Sequence, residues 1–364
     1  MIQKPRKNIL ITGTHLTPAL ELIRQLQNDS KTNWQIHYIG RHSNSNDSNN
    51  TSIESQIIPN LGVNFYPIYC GKFDRRFLPN TIAGIPKSIF GFFQALFLIN
   101  KIKPNIVISF GGYVSVPVII NARLKNIISI THEQTLTNSL TTKINSLFVN
   151  KIALSFDNSN QIKQLNKNKV VIIGNLLRYQ LFNKNPIKPN SKFSNKQPII
   201  YITAGNQGSH SLNLVIKKIL PILKNFSVIH QSGKNDLNLF KKLSNKYSYY
   251  FVSDYFNTDE LTWIIHSTDI LISRSGANTS QEIVAFNKKS ILIPLPKSQQ
   301  NEQLLNALWV KEKLPTKTII IPQEKLNQRS LLSAIGTLIK VKSNLKTKEY
   351  KPNLQLLKLI YEII

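Results

Sequence analysis

The stretch with the clearest chemical content runs from Ser273 to Glu282 and reads SRSGANTSQE. It follows the apolar run Ile270–Ile272, which predicts a buried strand, and it leads into Ile283–Phe286, which continues a helical pattern. A strand that turns into a helix through small residues leaves the first helical N–H groups unpaired, and such groups bind phosphate. A glutamate in that helix can accept hydrogen bonds from both hydroxyls of a ribose. The stretch therefore predicts a nucleotide or nucleotide-sugar site in the C-terminal half.

The composition bounds the size of the protein and the kinds of site it can hold. A length of 364 residues suits two domains that each bury a core. The single cysteine, Cys70, excludes a disulfide framework and a cysteine metal site. We expect no signal peptide, because residues 1–7 are polar and basic, and no apolar run reaches the roughly 20 residues that a membrane-spanning helix needs.

The formal charge of +28 favours anionic partners in general. Only nine of the 46 basic residues are arginines, and the lysines are spread along the whole chain. Nucleic-acid binders usually concentrate charge in a patch and favour arginine for phosphate contacts. We therefore expect no nucleic-acid partner, whereas UDP, a lipid pyrophosphate or an anionic membrane surface would benefit from the charge.

Short apolar runs alternate with helix-period segments along the chain, which predicts parallel sheets covered on both faces. The runs are Lys7–Thr12, Gln35–Gly40, Val63–Tyr69, Ile106–Phe110, Ile127–Thr131, Ile152–Phe156, Val170–Gly174, Ile199–Ala204, Ser227–His230, Tyr250–Ser253, Ile270–Ser273, Ser290–Leu295 and Lys317–Ile321. They form two series, which predicts two doubly wound α/β domains. The predicted boundaries are residues 1–176, a linker over 177–197, a second domain over 198–345, and a C-terminal helix within 346–364 that could pack back on the first domain.

Further motifs follow the predicted strands, where open parallel sheets bind their ligands. They are TGTHLTPAL from Thr12, GGYVSVP from Gly111 with HEQ from His132, GNLLR from Gly174, AGNQG from Ala204 with HQSG from His230, and NEQLLNA from Asn301. Taken in this order with the first stretch, from about residue 9 to about residue 307, the set resembles the MurG family of glycosyltransferases.

The resemblance implies a GT-B architecture, in which two Rossmann-like, doubly wound parallel-sheet domains face each other across a cleft. It implies an inverting hexosyltransferase that moves N-acetylglucosamine from UDP-N-acetylglucosamine to the 4-hydroxyl of the muramoyl sugar of lipid I. The acceptor is undecaprenyl-pyrophosphoryl-muramoyl-pentapeptide, and the product is lipid II of peptidoglycan biosynthesis. No metal and no other cofactor is expected, since the UDP-sugar is a substrate.

The resemblance also implies roles for individual residues. His15 matches the general base, and a positioned imidazole can take a proton from a sugar hydroxyl at neutral pH. Acceptor or pyrophosphate binding is implied for Gly13, Thr14, Gly111, Gly112, Tyr113, His132, Glu133 and Gln134. Donor binding is implied for Arg178, Gly205, Asn206, Gln207, Gly208, Ser275, Gly276, Ala277, Thr279, Glu282, Gln303 and Asn306, with Glu282 on the ribose.

The glycine loops depart from the family pattern. Thr14 stands where the family has glycine, and a β-branched residue disfavours positive φ. Ala204 and Asn206 replace the glycine and serine of a later loop. Two alternatives to the lipid I reading therefore stay open: a transferase of the same fold with another lipid-linked acceptor, and a non-catalytic relative that binds UDP-sugar or lipid. Among single residues, His132 and His230 could be structural, and Arg178 could be a salt-bridge residue.

The segment from Leu78 to Lys103 is rich in apolar residues with basic residues around it. An apolar surface with basic flanks predicts peripheral binding to the cytoplasmic face of the cell membrane. The residues expected to make this contact are Phe90, Phe92, Phe93 and Phe97. The alternative is an ordinary amphipathic helix that packs on the sheet.

Overall fold

The computed structural model describes residues 4–41, 52–71, 78–183, 185–186, 188, 197–205, 208–296, 301–342 and 353–364. The chain divides into two compact units. One contains residues 1–176 together with 353–364, and the other contains residues 177–352. Each unit is built on one parallel sheet.

The N-terminal unit alternates strands and helices along the chain. Its strands are β1 (Arg6–Gly13), β2 (Asn33–Arg41), β3 (Asn64–Ile68), β4 (Ile106–Phe110), β5 (Ile128–Glu133), β6 (Lys151–Leu154) and β7 (Val170–Ile172). The helices between them are α1 (Leu16–Gln27), α2 (Ile53–Ile57), α3 (Leu78–Ile102), α4 (Ser115–Leu124), α5 (Leu140–Phe148) and α6 (Ser159–Ile162).

The strand order of this sheet is β3-β2-β1-β4-β5-β6-β7, and every pair is parallel. Alternate residues of β1 pack into two hydrophobic cores on opposite faces of the sheet. Ile9 and Ile11 lie in one core and Leu10 lies in the other. Both faces are thus covered, which explains why the strand is apolar throughout. The order reverses between β1 and β4, and ligands of such sheets bind at the carboxyl ends of the strands beside this point.

The C-terminal unit repeats this plan. Its strands are β8 (Ile199–Thr203), β9 (Ser227–Gln231), β10 (Tyr250–Ser253), β11 (Ile270–Ser273), β12 (Lys289–Leu292) and β13 (Thr318–Ile320). Its helices are α7 (His210–Ile219), α8 (Leu237–Lys246), α9 (Thr258–Ser267), α10 (Ala277–Ala285), α11 (Glu302–Lys313) and α12 (Gln328–Ile339). The parallel order β10-β9-β8-β11-β12-β13 reverses between β8 and β11.

The last helix, α13 (Gln355–Ile363), belongs to the N-terminal unit. Its buried residues Leu356, Leu359 and Ile360 lie in the same core as Ile9 and Ile11. Just before it, the side chain of Asn353 donates hydrogen bonds to the carbonyls of Ile173 and Asn175, at 2.6 and 3.0 Å. The apolar stripe of the helix and this amide together fasten the C-terminus to the first sheet.

All thirteen strands predicted from the sequence are present, in two parallel sheets, so the predicted α/β class with two doubly wound domains is confirmed. Among the described residues, no helix is long and apolar enough to cross a membrane. The same residues contain no group of three or more His, Cys, Asp or Glu side chains that could hold a metal ion.

Candidate active site

The turn from β1 into α1 lies at the reversal point of the N-terminal sheet. Gly13 ends β1 with φ of 139°, a backbone region that favours glycine. A Cβ on Gly13 would lie 2.8 Å from the carbonyl oxygen of Gly111, the residue that follows β4. The N–H of Thr14 donates to that same oxygen at 3.1 Å. The two glycine loops predicted from the sequence are therefore in direct contact.

Thr14 fits into this contact without positive φ, since Gly13 supplies the unusual backbone angle. Its side chain lies over Gly112, where a Cβ would approach the Thr14 hydroxyl oxygen to 2.2 Å. The space that a side chain at 112 would need is occupied by the threonine. The strain expected from a β-branched residue in the first loop is thus avoided, because Gly13 takes the positive φ and Gly112 leaves room for the threonine side chain.

His15 is the N-cap residue of α1, and its side chain makes no capping hydrogen bond. Its ring lies beside Gly111, where a Cβ would be 3.2 Å from Cδ2. The carboxamide nitrogen of Gln134, directly after β5, lies 2.7 Å from Nδ1 of the ring. Burial lowers the pKa of His15, and the nearby Glu133 partly opposes this effect. The imidazole is therefore neutral at physiological pH, as a general base must be.

His132 is buried in the core at the end of β5. Its Nε2 lies 3.0 Å from the hydroxyl of Ser155, and its ring meets Phe110 edge to face. Burial lowers the pKa of His132 to about 4, so the ring stays neutral over the physiological range. These contacts match the structural role that the sequence left open. An acceptor-binding role for His132 stays a prediction.

Glu133 is buried, and both of its carboxylate oxygens accept hydrogen bonds from the segment that follows β5. One oxygen accepts from the N–H and hydroxyl of Thr135, at 3.1 and 2.8 Å. The other accepts from the N–H of Ser139 and the hydroxyl of Thr142, at 3.1 and 2.6 Å. The carboxylate thus holds the chain between β5 and α5, and direct acceptor binding by Glu133 stays a prediction.

Tyr113, in the second glycine loop, is partly buried, and burial raises the pKa of its phenol.

The loop after β8 lies at the reversal point of the C-terminal sheet. Gly205 has φ of 78°, and open space lies where its Cβ would be. Gly208 has φ of 73°, and a Cβ there would lie 2.1 Å from the carbonyl oxygen of Ser232. Both positions therefore require glycine, one for its backbone angle and one also for close packing. Asn206 and Gln207 lie outside the described residues.

The start of α10, after β11, lies beside this loop in the sheet order. Gly276 is its N-cap residue, with open space around the position of a Cβ and no side-chain cap. Ala277 is its first residue and Thr279, within the first turn, is partly buried. The N-cap position thus provides no side-chain cap for the first N–H groups of the helix, and phosphate binding at this helix start stays a prediction.

The segment from Asn301 supports this helix start. Asn306 is fully buried, and its side chain donates to the carbonyl of Ser275 at 3.0 Å. The hydroxyl of Ser275 donates to the backbone carbonyl of Gln303 at 2.7 Å, while the Gln303 side chain accepts from the N–H of Leu295 at 2.9 Å. These contacts are within the protein, and contact of Gln303 and Asn306 with the sugar stays a prediction.

Glu282 lies in the second turn of α10 and is 7 % exposed. Its carboxylate forms an ion pair with Arg178, at 3.4 Å. Burial raises the pKa of Glu282, and the charge of Arg178 opposes this effect. Nε of Arg178 is buried and has no hydrogen-bond partner among the described residues. Both residues belong to the C-terminal unit, so this salt bridge is internal to it.

The His-Gln-Ser-Gly motif, which begins at His230 in β9, contacts the glycine loop that follows β8. His230 is buried between the hydroxyl of Tyr250, 2.7 Å from Nδ1, and the carboxamide oxygen of Asn213, 3.0 Å from Nε2. Gln231 donates to the carbonyl of Gly205 at 3.1 Å. His230 is thus a structural histidine, and Gln231 holds one of the loop glycines.

The chain matches known glycosyltransferases over both units. Residues 10–154 match the glycosyltransferase family 28 N-terminal domain, and residues 199–362 match the glycosyltransferase family 28 C-terminal domain. A relative from Clostridium botulinum (strain Langeland) is 33 % identical over 340 residues, 91 % of each chain. It is named UDP-N-acetylglucosamine–N-acetylmuramyl-(pentapeptide) pyrophosphoryl-undecaprenol N-acetylglucosamine transferase.

The chain belongs to the MurG family. A relative of the same name from Clostridium tetani is 31 % identical over 358 residues, 95 % of each chain. The crystal structure of Acinetobacter baumannii MurG superposes with a TM-score of 0.71 at 20 % identity, covering 98 % of this chain and 100 % of that one. The fold and the family expected from the motifs are thus confirmed.

Sequence reasoning missed several residues that hold the loops of this MurG-family protein. The hydroxyl of Tyr38 donates to the carbonyl of Gly13 at 2.9 Å. Asn145 donates to the hydroxyls of Ser109 and Ser115, at 3.2 and 3.0 Å, on either side of the second glycine loop. Arg274 contacts the start of α7. Tyr38 and Asn145 carry no local signal, whereas Arg274 lies inside a recognised motif.

The apolar face of α3 that the sequence singled out is divided between core and surface. Ala95, Leu98, Ile99 and Ile102 lie in the core. The exposed aromatic side chains are Phe90, Phe93 and Phe97, at 59, 61 and 66 % exposure, and we name them the α3 aromatic face. Phe92 is only partly exposed and meets Phe93 edge to face. Of the basic flanks predicted for this segment, Arg75 and Arg76 lie outside the described residues.

Proposed function

We propose that this protein transfers N-acetylglucosamine from UDP-N-acetylglucosamine to the 4-hydroxyl of the muramoyl sugar of lipid I, with inversion, and so makes lipid II. Identity of 33 % over 91 % of the chain with a transferase of that name carries the proposal. The arrangement of the residues supports it, because the loops after β1, β4, β8 and β11 lie at the reversal point of their sheets.

On the acceptor side, His15 is the proposed general base. The acceptor oxygen attacks C1 of the donor sugar, the bond from C1 to the UDP oxygen breaks with its electron pair leaving on UDP, and the hydroxyl proton passes to the imidazole. Inversion follows from a single displacement. The neutral ring of His15 can accept this proton, and Gly111 beside it leaves room for the acceptor to approach.

On the donor side, negative charge grows on the diphosphate as UDP leaves. The starts of α7 and α10, whose N-cap residues make no side-chain cap, offer backbone N–H groups to it, and such preorganised donors stabilise a developing charge. Glu282 is the proposed partner of the ribose hydroxyls, and Arg178 adds positive charge next to it. Gly205 and Gly208 shape the loop before α7, and their own N–H groups donate within the protein, to the hydroxyl of Thr203 and to the carbonyl of Gly205, both at 3.2 Å.

We infer that the transfer needs no metal ion, because Arg178 and the helix starts supply positive potential for the leaving diphosphate. We also propose that the α3 aromatic face dips into an anionic membrane, where the acceptor lipid lies. Exposed phenylalanines gain from contact with the acyl boundary, and the exposed Lys87 on the same helix gains from anionic headgroups.

Transfer of radiolabelled N-acetylglucosamine from its UDP donor to a lipid I analogue tests the function, with and without EDTA. We expect labelled product in both conditions. UDP-sugar binding without transfer to lipid I, but with transfer to another polyprenyl-linked sugar, would change the acceptor and keep the fold. Binding with no transfer to any lipid would identify a non-catalytic relative.

A further inference from the structure

Arg274 lies directly after β11 and immediately before the start of α10. Its side chain is 8 % exposed. Burying a charged group is costly unless hydrogen bonds and opposite charge compensate. Burial lowers the pKa of the guanidinium, and an arginine nevertheless remains protonated in a protein. The free-energy cost of burying this charge must therefore be compensated by its contacts within the protein.

The guanidinium group joins three separate segments of the C-terminal unit. Nη1 donates to the carbonyl of Ile293, just after β12, at 3.1 Å. Nη2 lies 2.8 Å from the hydroxyl of Ser209 and 3.0 Å from that of Ser211, at the start of α7. It also lies 2.6 Å from the carboxamide oxygen of Gln323, in the turn before α12. All four acceptors are uncharged.

None of the described carboxylates pairs with Arg274. Its positive charge is therefore not neutralised by an ion pair within the described part of the chain. An unpaired charge in a buried position acts over a longer range than one in water, because the surrounding dielectric constant is lower. The two helix starts nearest to it in the chain and in space carry partial positive charge of the same sign.

Ser209 shows how Arg274 affects the start of α7. Serine is a favoured N-cap residue because its hydroxyl can accept from the first N–H groups of the helix. Here Ser209 is the N-cap residue, but its side chain makes no capping hydrogen bond. Its hydroxyl oxygen accepts from Arg274 instead. The first turn of α7 thus keeps N–H groups that no serine cap satisfies, next to the glycine loop that ends at Gly208.

We propose that Arg274 is a positioning residue of the donor site, which holds the uncapped starts of α7 and α10 together and adds its unpaired charge to their attraction for the donor's diphosphate. The proposal rests on the proposed function. Arg274 acts through the two helix starts and not by touching the reacting atoms. Its effect is specific to the diphosphate and should be small for the uridine part of the donor.

The test compares the binding of UDP and of uridine to the full chain by calorimetry. For R274M we expect UDP to bind about tenfold more weakly or worse, which is the usual size of an energetic coupling between a positioning residue and a ligand site, and uridine to change by less than about twofold. R274K keeps the charge and loses the planar fork, so we expect a smaller, intermediate loss for UDP. S209A removes one tether and should shift UDP binding in the same direction.

The matched control is R329M, which removes an arginine from an exposed position on α12 of the same unit. We expect its ratio of UDP to uridine affinity to equal that of the wild type. Equal losses of UDP and uridine binding in R274M would overturn the proposal, as would unchanged UDP binding. If R274M does not fold, R274K decides, and wild-type UDP affinity in R274K would overturn the positioning role. Failure of the wild type to bind UDP would instead count against the proposed function.

Discussion

The imidazole of His15 and the carboxamide of Gln134 are in hydrogen-bond contact, with 2.7 Å between Nδ1 and the amide nitrogen. The two residues are 119 positions apart in the chain. The oxygen and nitrogen of a carboxamide have nearly the same shape, so a half-turn of the group exchanges them. With the nitrogen towards Nδ1, Gln134 donates to the ring and the ring proton lies on Nε2. With the oxygen towards Nδ1, the ring carries its proton there and leaves Nε2 free to accept one. Gln134 is therefore in a position to choose the tautomer of His15.

Replacing Gln134 with leucine should lower kcat with little change in the KM for the UDP donor, because the base loses the group that orients it. We expect a loss of about tenfold to a hundredfold, as for other groups that orient a catalytic base. Nitrogen NMR of the His15 ring should show the Nδ1-protonated tautomer in the wild type and a mixture in Q134L. A wild-type ring protonated mainly on Nε2 would assign His15 as a hydrogen-bond donor and exclude it as the base.

Replacing His15 with alanine should abolish transfer and leave the binding of UDP-N-acetylglucosamine unchanged, because His15 lies in the N-terminal unit and the donor residues lie in the C-terminal unit. Loss of a general base typically costs about a hundredfold to ten-thousandfold in rate. The measurement is transfer of labelled sugar, together with calorimetry of donor binding. His37→Ala is the control, since that histidine lies in β2 and stacks on Tyr66 away from the glycine loops. Full activity of H15A would remove His15 as the base.

Replacing Glu282 with alanine should weaken UDP binding by about tenfold or more, because two hydrogen bonds from the ribose to a charged group are lost. Uridine binding should fall by a similar factor, and this separates the ribose contact from the diphosphate contact. Calorimetry with both ligands measures the effect. Glu312→Ala, which changes an exposed glutamate of α11, serves as the control. Unchanged affinity in E282A would show that Glu282 serves only its ion pair with Arg178.

Replacing Phe93 and Phe97 with serine should release the protein from vesicles that contain phosphatidylglycerol. Both side chains are mostly exposed, so the thermal unfolding midpoint should stay close to that of the wild type. Phe92 is left in place because it is partly buried. The control variant replaces Leu304 and Leu308 of α11, which are 42 and 51 % exposed in the other unit. Vesicle binding equal to that of the wild type would exclude the α3 aromatic face as a membrane contact.

The stability of the C-terminal unit should depend on pH through His230. Burial lowers the pKa of His230 to about 3, whereas a histidine in an unfolded chain titrates near about 6.5. Between these values the unfolded chain binds more protons, so the free energy of unfolding is highest above the upper value and falls as the pH falls. The nearby carboxylate of Asp236 limits the shift without reversing it.

Urea denaturation at about pH 7 and about pH 5 measures this dependence, and each pH unit below the unfolded value costs about 1.4 kcal/mol per such histidine. His230→Gln should lose less stability over this interval than the wild type. Part of the loss should remain, because the pKa of His132 is lowered to about 4 in the N-terminal unit. Equal losses in H230Q and the wild type would contradict the prediction.

Much of the architecture could be predicted from the sequence, since all thirteen apolar runs became strands and both series became parallel sheets. Strands covered on both faces leave continuous apolar runs, a signal that is local and strong. The glycine loops could also be located in the sequence. Gly13, Gly111, Gly205 and Gly208 all have positive φ, and few other residues adopt that region.

The contacts and exposure of individual side chains could not be predicted from the sequence in this way. Glu133, expected on the acceptor, has both oxygens engaged by its own following segment. The aromatic pattern of α3 in the sequence did not show that Phe93 is exposed whereas Phe92 is partly buried. Arg274 lay in a recognised motif, but its partners come from three distant segments.

The sequence by itself determined the α/β class, the two sheets, the family and the positions of the glycine loops, because periodicity, glycine and motif order are properties of short segments. Only the tertiary structure decided that Gln134 meets His15 and that Arg178 meets Glu282, over 119 and 104 positions of chain. The first pairing depends on the order β1-β4-β5 in the N-terminal sheet, and the second on how the segment before β8 packs against α10. A side chain's hydrogen-bond partner is set by distances of a few ångströms in space. These distances cannot be calculated from the spacing of residues along the chain.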